Sequence, residues 1–249
     1  MSHPSNSPVV PLSGTAHMHH VEPHGKAGRY LREVVFAASD GLVTTFAVVA
    51  GSAGAHLDPS IIIVLGFANL VGDGISMGLG EYLGSKSEQE YYNEQERKER
   101  WEIENKREAE IQEMRNIFQG WGMKGKQLED TVQTVIQDKE VWVDLMMRFE
   151  LGFQRDDEKS PASSGLVMFI SFAVIGLAPL LPFMFRASAG FAWSIAITAL
   201  MMFTVGALRS RVTRLRWTVS GLEMLLVGSL AAGSAYAIGV VLSRVFHIQ

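Results

Sequence analysis

Three carboxylates lie in stretches of sequence that otherwise carry almost no charge. Asp40 is the only ionisable residue in 34–55, and Asp73 and Glu81 are the only acidic residues in 60–84. An ionisable side chain inside a membrane span costs about 2.5 to 3.5 kcal/mol on insertion scales, so its presence needs a compensating role. These carboxylates are therefore the first candidates for a cation or proton pathway.

A polar stripe surrounds two of these carboxylates. Asn69, Asp73, Met77 and Glu81 recur every four residues and fall along one side of a helix. Carboxylate, amide and thioether together suit a borderline metal such as iron(II) better than magnesium or calcium, which would not select Met. The alternative is that Asn69 and Asp73 bond neighbouring helices while Met77 fills space. Glu81 is close enough to the end of its stretch to reach water.

Two further sets of metal-type ligands occur in the charged middle of the chain. Four glutamates share one 60° sector of a continuous helix: Glu99, Glu102, Glu110 and Glu113. A later helix ends with Met146, Met147 and Glu150. If that helix folds back on the first, carboxylates and thioethers converge on a pocket without histidine. The alternatives are that a Glu-rich helix offers such a stripe by chance, and that the methionines are core contacts.

The elements that must position these residues follow from the distribution of charge. Of the 48 Asp, Glu, Lys and Arg residues among 249, 32 lie in 86–159. Five apolar stretches outside this segment match the thickness of a bilayer, which takes about 20 helical residues: 34–55, 60–84, 164–185, 191–208 and 218–242. The sequence therefore predicts an all-α membrane protein with five transmembrane helices, and a cytoplasmic three-helix metal-binding domain inserted between spans 2 and 3.

The middle segment is rich in Glu, Lys, Arg and Gln and predicts three helices: 85–118, 126–137 and 139–152. Glycines at 120, 122 and 125 end the first of them. Four regions result: a disordered His-containing tail (1–28), spans 1 and 2 (29–85), the Glu-rich metal-binding helices (86–160), and spans 3 to 5 (161–249). The tail has too little apolar sequence to fold alone.

The orientation follows from the positive-inside rule. With the N-terminus in the cytoplasm, the 86–160 region is cytoplasmic too, and only Arg186 and Arg244 of the 22 basic residues fall on the far side. The opposite orientation would misplace the other 20. The sequence therefore predicts an integral membrane protein with both its N-terminus and its charged domain in the cytoplasm.

Several classes of function are disfavoured by composition. The chain has no cysteine, which excludes Cys-ligated zinc, iron–sulfur clusters and thiol nucleophiles. A net charge of −4 gives no reason to expect nucleic acid as a partner. No Walker-type phosphate loop is present for ATP. We expect no enzymatic activity and no prosthetic group.

From 29 to the last span, the chain resembles the vacuolar iron transporter family. The resemblance is carried by motifs in three spans and at the end of the charged segment: Ser39-Asp40-Gly41-Leu42, Thr44-Thr45-Phe46-Ala47, Gly74-Ile75-Ser76-Met77-Gly78, Glu81-Tyr82-Leu83, Ala178-Pro179-Leu180-Leu181-Pro182 and Met146-Met147-Arg148-Phe149-Glu150. The resemblance implies a homodimer that exchanges cytoplasmic iron(II) for protons, with the path at the dimer interface.

The resemblance also implies roles for individual residues. Asp40 and Met77 correspond to the intramembrane metal-binding pair. The cytoplasmic metal-gathering site corresponds to Glu99, Glu102, Glu110, Glu113, Met146, Met147 and Glu150. Plant and yeast relatives have a Glu where this chain has Asn69, and Asp73, one turn later, is a candidate for the displaced carboxylate. Asp73, Asn69 and Glu81 are thus further candidates for the pathway.

The expected function is secondary transport of iron(II) out of the cytoplasm, into a vacuole-like compartment or out of the cell across a bacterial inner membrane. Manganese(II) is the alternative main cargo, and zinc(II) or cobalt(II) are further candidates for binding. A membrane-anchored ferritin-like oxidase would need Glu-x-x-His ligands, and no histidine lies between Leu57 and Phe246. A structural scaffold would leave Asp40 and Asp73 unexplained.

Overall fold

The computed structural model describes residues 30–153, 160–185, 188–213 and 216–247. Within these ranges the chain forms α-helices, one short 3-10 turn and no β-strand. The helices are α1 (Leu31–Gly54), α2 (Pro59–Asn105), α3 (Arg107–Gly120), α4 (Gly125–Val135), α5 (Lys139–Phe149), α6 (Pro161–Gly176), α7 (Leu181–Met184), α8 (Gly190–Thr213) and α9 (Trp217–Phe246). The predicted tail at 1–28, and Arg186 on the far side, lie outside the described residues.

Five helical segments are long and apolar enough to cross a membrane, which confirms the all-α class and the number of spans. They are Leu31–Gly54, Pro59–Asn105, Pro161–Met184, Gly190–Ser210 and Trp217–Phe246. The third combines α6, the 3-10 turn Ala178–Leu180 and α7. Pro179 and Pro182 lack the N–H groups that a continuous helix needs, which accounts for the change of helix type. Buried Ser194 of α8 donates to the Pro179 carbonyl at 2.7 Å.

The five apolar segments pack together into what we call the membrane unit. Its central helix is α1, which packs against α2, α6, α8 and α9. Close approach depends on glycine at two crossings. A Cβ atom built on Gly41 would lie 2.7 Å from the Phe172 carbonyl of α6, and one built on Gly239 of α9 would lie 2.0 Å from the Gly51 carbonyl. Small residues of this kind allow helices to pack in a membrane without a hydrophobic driving force. The packing fixes α1 and α2 side by side.

The second span and the start of the charged segment form one helix. α2 runs for 47 residues and leaves the apolar stretch without interruption. It ends at Asn105, however, so the prediction of a single helix over 85–118 is wrong. Lys106 has φ −127° and ψ 34°, and α3 begins at the next residue.

The break has a physical cause in packing. Ile103 of α2 and Ile111 and Met114 of α3 are buried in one apolar core with α4 and α5, which contribute Val132 and Trp142. A continuous helix would carry the α3 side chains away along its axis, at 1.5 Å per residue. Breaking the helix at Lys106 lets both halves bury their apolar side chains together.

Candidate metal-binding site

Three carboxyl groups from separate parts of the chain converge beside the apolar core that α2, α3, α4 and α5 share. One carboxyl oxygen each from Glu99, Glu110 and Glu150 lies within 4.8 Å of the other two. Glu99 and Glu110 are only 3% and 4% exposed, whereas Glu150 faces solvent. Buried acidic side chains are rare unless they are paired or bind a cation.

The helix break is what brings the first two together. On a straight helix, residues 99 and 110 would be about 16.5 Å apart along the axis. Glu150 follows directly after α5, and its backbone N–H donates to the Met146 carbonyl. At its other end α5 is capped by Asp138, whose carboxylate accepts from the N–H groups of Glu140 and Val141. α5 also packs against α2, which positions Glu150 against Glu99.

Burial and mutual repulsion hold protons on this cluster. Desolvation, followed by repulsion from Glu110 and Glu150, raises the pKa of Glu99 to about 8. Desolvation and the neighbouring glutamates, Glu113 foremost, raise the pKa of Glu150 to about 7. The pKa of Glu110 is also raised, chiefly by burial. A divalent cation would supply the missing positive charge and displace these protons.

Two further predicted glutamates border the cluster. The charge of Glu113 contributes more to the raised pKa of Glu150 than that of any other glutamate. Glu102 repels both Glu99 and Glu150, which places its charge nearby. Unlike the others, Glu102 is paired: its Oε1 lies 2.7 Å from Lys106 Nζ, and this ion pair lowers its pKa. All five glutamates that the sequence singled out are thus within electrostatic range of one another.

The two methionines of the set occupy a different environment. Met146 and Met147 are fully buried in the apolar core, with Met114 and Trp142 among their neighbours in it. This burial fits the alternative that they are core contacts. Their role as metal ligands stays a prediction.

The chemistry of the cluster favours a hard or borderline cation. Glu99 Oε1 and Glu110 Oε2 are buried atoms without a hydrogen-bond partner among the described residues. Each such oxygen loses hydration on folding, which is costly unless a proton or a cation replaces it. Carboxylate oxygens suit manganese(II) and iron(II) as well as the alkaline-earth ions.

The candidates in the membrane unit lie on α1 and α2. Asp40 is half-buried on α1, and it is close enough to Asp73 of α2 for the two carboxylates to repel each other. Met77 packs against the membrane-unit core and is partly buried. Half-buried Glu81 accepts a hydrogen bond from Ser85 at 3.0 Å. Asn69 is half-buried, with its Nδ2 unpartnered.

Sequence reasoning missed one buried carboxylate. Glu33, near the start of α1, is 4% exposed. It precedes Asp40 by seven residues, so the two share a face of α1 and are about 10.5 Å apart along it. That seven-residue spacing from Asp40 is the signal in the sequence that could have pointed to Glu33.

Comparison with known proteins identifies the family of the chain. A family model described as the VIT family matches residues 31–240, which include both groups of candidate residues. The chain belongs to the VIT family. This confirms the family resemblance seen in the motifs.

Relatives of this VIT-family protein are similar over nearly their whole length. Vacuolar iron transporter 1 of Oryza sativa subsp. japonica is 34% identical over 223 residues, 89% of this chain and 88% of the relative. Vacuolar iron transporter 1 of Arabidopsis thaliana is 32% identical over 238 residues, 95% of each chain. The vacuolar iron transporter of Toxoplasma gondii is 33% identical over 238 residues, 91% of this chain and 79% of the relative.

Proposed function

We propose that this VIT-family protein is a secondary transporter that moves iron(II) out of the cytoplasm in exchange for protons. The observation that carries the proposal is the cluster of Glu99, Glu110 and Glu150, in which Glu99 lies on a helix that begins as a membrane span. The relatives named vacuolar iron transporters support metal as the cargo. The far side is the interior of a vacuole-like compartment or the cell exterior.

The cluster gathers the metal. At neutral pH the raised pKa values of Glu99 and Glu150 leave both carboxyls partly protonated, so cation binding releases protons. This competition limits affinity and permits release towards the membrane. Glu102 and Glu113 complete the set of carboxylates, and Met146 and Met147 are its proposed thioether ligands.

The membrane site passes the metal on. Asp40 and Met77 are the proposed ligands there, and Asp73 with Asn69 takes the place of the Glu that plant and yeast relatives carry. A carboxylate binds either a divalent cation or a proton, and two neighbouring carboxylates hold the cation more tightly than one. Metal and proton therefore compete for the same groups, which is the requirement for exchange once the two loaded states open to opposite sides. The proposed entry residues are Glu81 and Glu33.

The proposed assembly is a homodimer with the charged helices in the cytoplasm. Asp73 is exposed on the single chain, on a helix face where Gly72 and Gly80 have open space beside them. A carboxylate facing lipid is costly, and a second copy would cover it. The distribution of Lys and Arg supports the orientation.

Flux into proteoliposomes tests the proposal. Full-length protein is reconstituted, iron(II) is added outside under anaerobic conditions, and entry is followed with and without an acid interior. We compare wild type, Asp40→Ala, and the double variant Glu102→Ala with Glu113→Ala. We expect flux that depends on the gradient, is abolished by Asp40→Ala and is weakened by the double variant.

Two outcomes would contradict parts of the proposal. Equal flux with and without the gradient would remove proton exchange. Unchanged flux in Asp40→Ala would remove the membrane site. Addition of manganese(II) in the same assay ranks the two cargoes, because each ion slows uptake of the other according to its own affinity.

A further inference from the structure

Lys106 holds a charged position at the edge of the Glu cluster. Its Nζ lies 2.7 Å from Glu102 Oε1 and 5.6 Å from the centre of the Trp101 ring. Glu110 and Glu113 also act on its charge and, with Glu102, raise its pKa. The ammonium is thus attracted by glutamates on both sides of the helix break.

The position of Lys106 in the fold makes this contact reversible. It is the residue between α2 and α3, so it is anchored between the two helices that carry Glu99 and Glu110. Its side chain is 52% exposed and can turn into water. Lys98 approaches the other oxygen of Glu102 at 3.8 Å, a weaker contact.

We propose that Lys106 competes with the metal ion for Glu102. Lys106 pairs with the Glu102 carboxylate before metal binds, and a divalent cation displaces it. The inference rests on the proposed function of the Glu cluster. An ammonium held within a few ångströms of a carboxylate competes at high effective concentration, because it is tethered to the same chain. It therefore lowers the affinity for metal and speeds its release, a useful property for a site that hands its ion on.

Charge removal at this position tests the inference. Manganese(II) alone is titrated into full-length, detergent-solubilised protein, and free ion is counted by electron paramagnetic resonance. The variants are Lys106→Gln, Lys106→Arg and Lys86→Gln. Lys86 is the matched control: it also pairs with a glutamate four residues away, Glu90, and lies over an aromatic ring, but on a distant part of α2.

The expected result is an increase in affinity of about fivefold for Lys106→Gln, the size that loss of a nearby, partly screened positive charge gives. Lys106→Arg and Lys86→Gln should match wild type. Mixing the loaded protein with a chelator should show slower manganese(II) release from Lys106→Gln. Because Lys106 has a negative φ that glutamine also adopts, the variant should keep the wild-type melting temperature.

If Lys106 has only a structural role, Lys106→Gln should not increase the affinity for metal. Unchanged or weaker binding by Lys106→Gln, with unchanged or faster release, would overturn the inference. A parallel titration of the double variant Glu99→Gln with Glu110→Gln separates this failure from that of the site. If the double variant binds like wild type, the cluster is not the metal site and both proposals fall; if it loses binding while Lys106→Gln gains nothing, only the competitor fails.

Discussion

One carboxyl oxygen of Glu99 lies within 4.8 Å of one of Glu110, across the break between α2 and α3. Burial of Glu99, together with the charge of Glu110 beside it, raises the pKa of Glu99 to about 8 and so keeps a proton on this carboxyl at neutral pH. The metal-free site is therefore neutralised in part by protons.

Metal affinity should rise steeply with pH. The pKa values of about 8 for Glu99 and about 7 for Glu150 mean that both carboxyls hold protons at pH 6 and have mostly lost them above pH 8. Each displaced proton costs about tenfold in affinity per pH unit below its pKa. We expect manganese(II) affinity at pH 8.5 to exceed that at pH 6 by about a hundredfold or more. Titration of the full-length protein at several pH values checks this, and a flat profile would contradict it.

Glu99→Gln should stabilise the metal-free protein at pH 8. A carboxyl whose folded pKa is raised contributes stability at low pH that is lost as pH rises through about 8. Glutamine cannot ionise, so that loss disappears. A gain of about 1 kcal/mol corresponds to a melting temperature higher by about 2 to 4 °C. Thermal unfolding at pH 5 and pH 8 is the measurement, and a gain that is no larger at pH 8 would count against the raised pKa.

Glu110→Gln should weaken metal binding by about tenfold or more, because it removes one of the two buried carboxylates. Glu108→Gln is the matched control, since Glu108 lies on the same helix but is exposed. It should bind like wild type. Titration of both variants with manganese(II) decides the matter, and equal losses would show that only overall charge matters.

Gly239→Ala should destabilise the membrane unit. The new Cβ would lie 2.0 Å from the Gly51 carbonyl, and overpacking of this kind typically costs about 1 to 3 kcal/mol. Gly233→Ala on the same helix has nothing within 4 Å of the new atom. Thermal unfolding in detergent should show a lower melting temperature for Gly239→Ala alone. A matching drop for Gly233→Ala would indicate that glycine acts through backbone conformation.

Sequence reasoning grouped four glutamates that the structure also brings near one another, but for a partly mistaken reason. The four glutamates at 99, 102, 110 and 113 were selected because they share a sector of a continuous helix, and the helix is not continuous. They interact nonetheless, because the break at Lys106 folds one pair against the other. A helical wheel describes angles around one axis and carries no information about where the axis ends. A helical wheel could not show that carboxyl oxygens of Glu99 and Glu110 lie within 4.8 Å of each other.

The sequence by itself determined the properties that depend on composition along the chain. It indicated five membrane spans, because the length of an apolar helix must match the thickness of the bilayer. It also indicated the charged insertion and, through its motifs, the family. Only the tertiary structure decided which carboxylates lose their water. The raised pKa values of Glu99 and Glu150 and the burial of Glu33 all depend on how separate helices pack. These side chains lose water only where helices pack against one another, so the sequence of a single helix does not predict it.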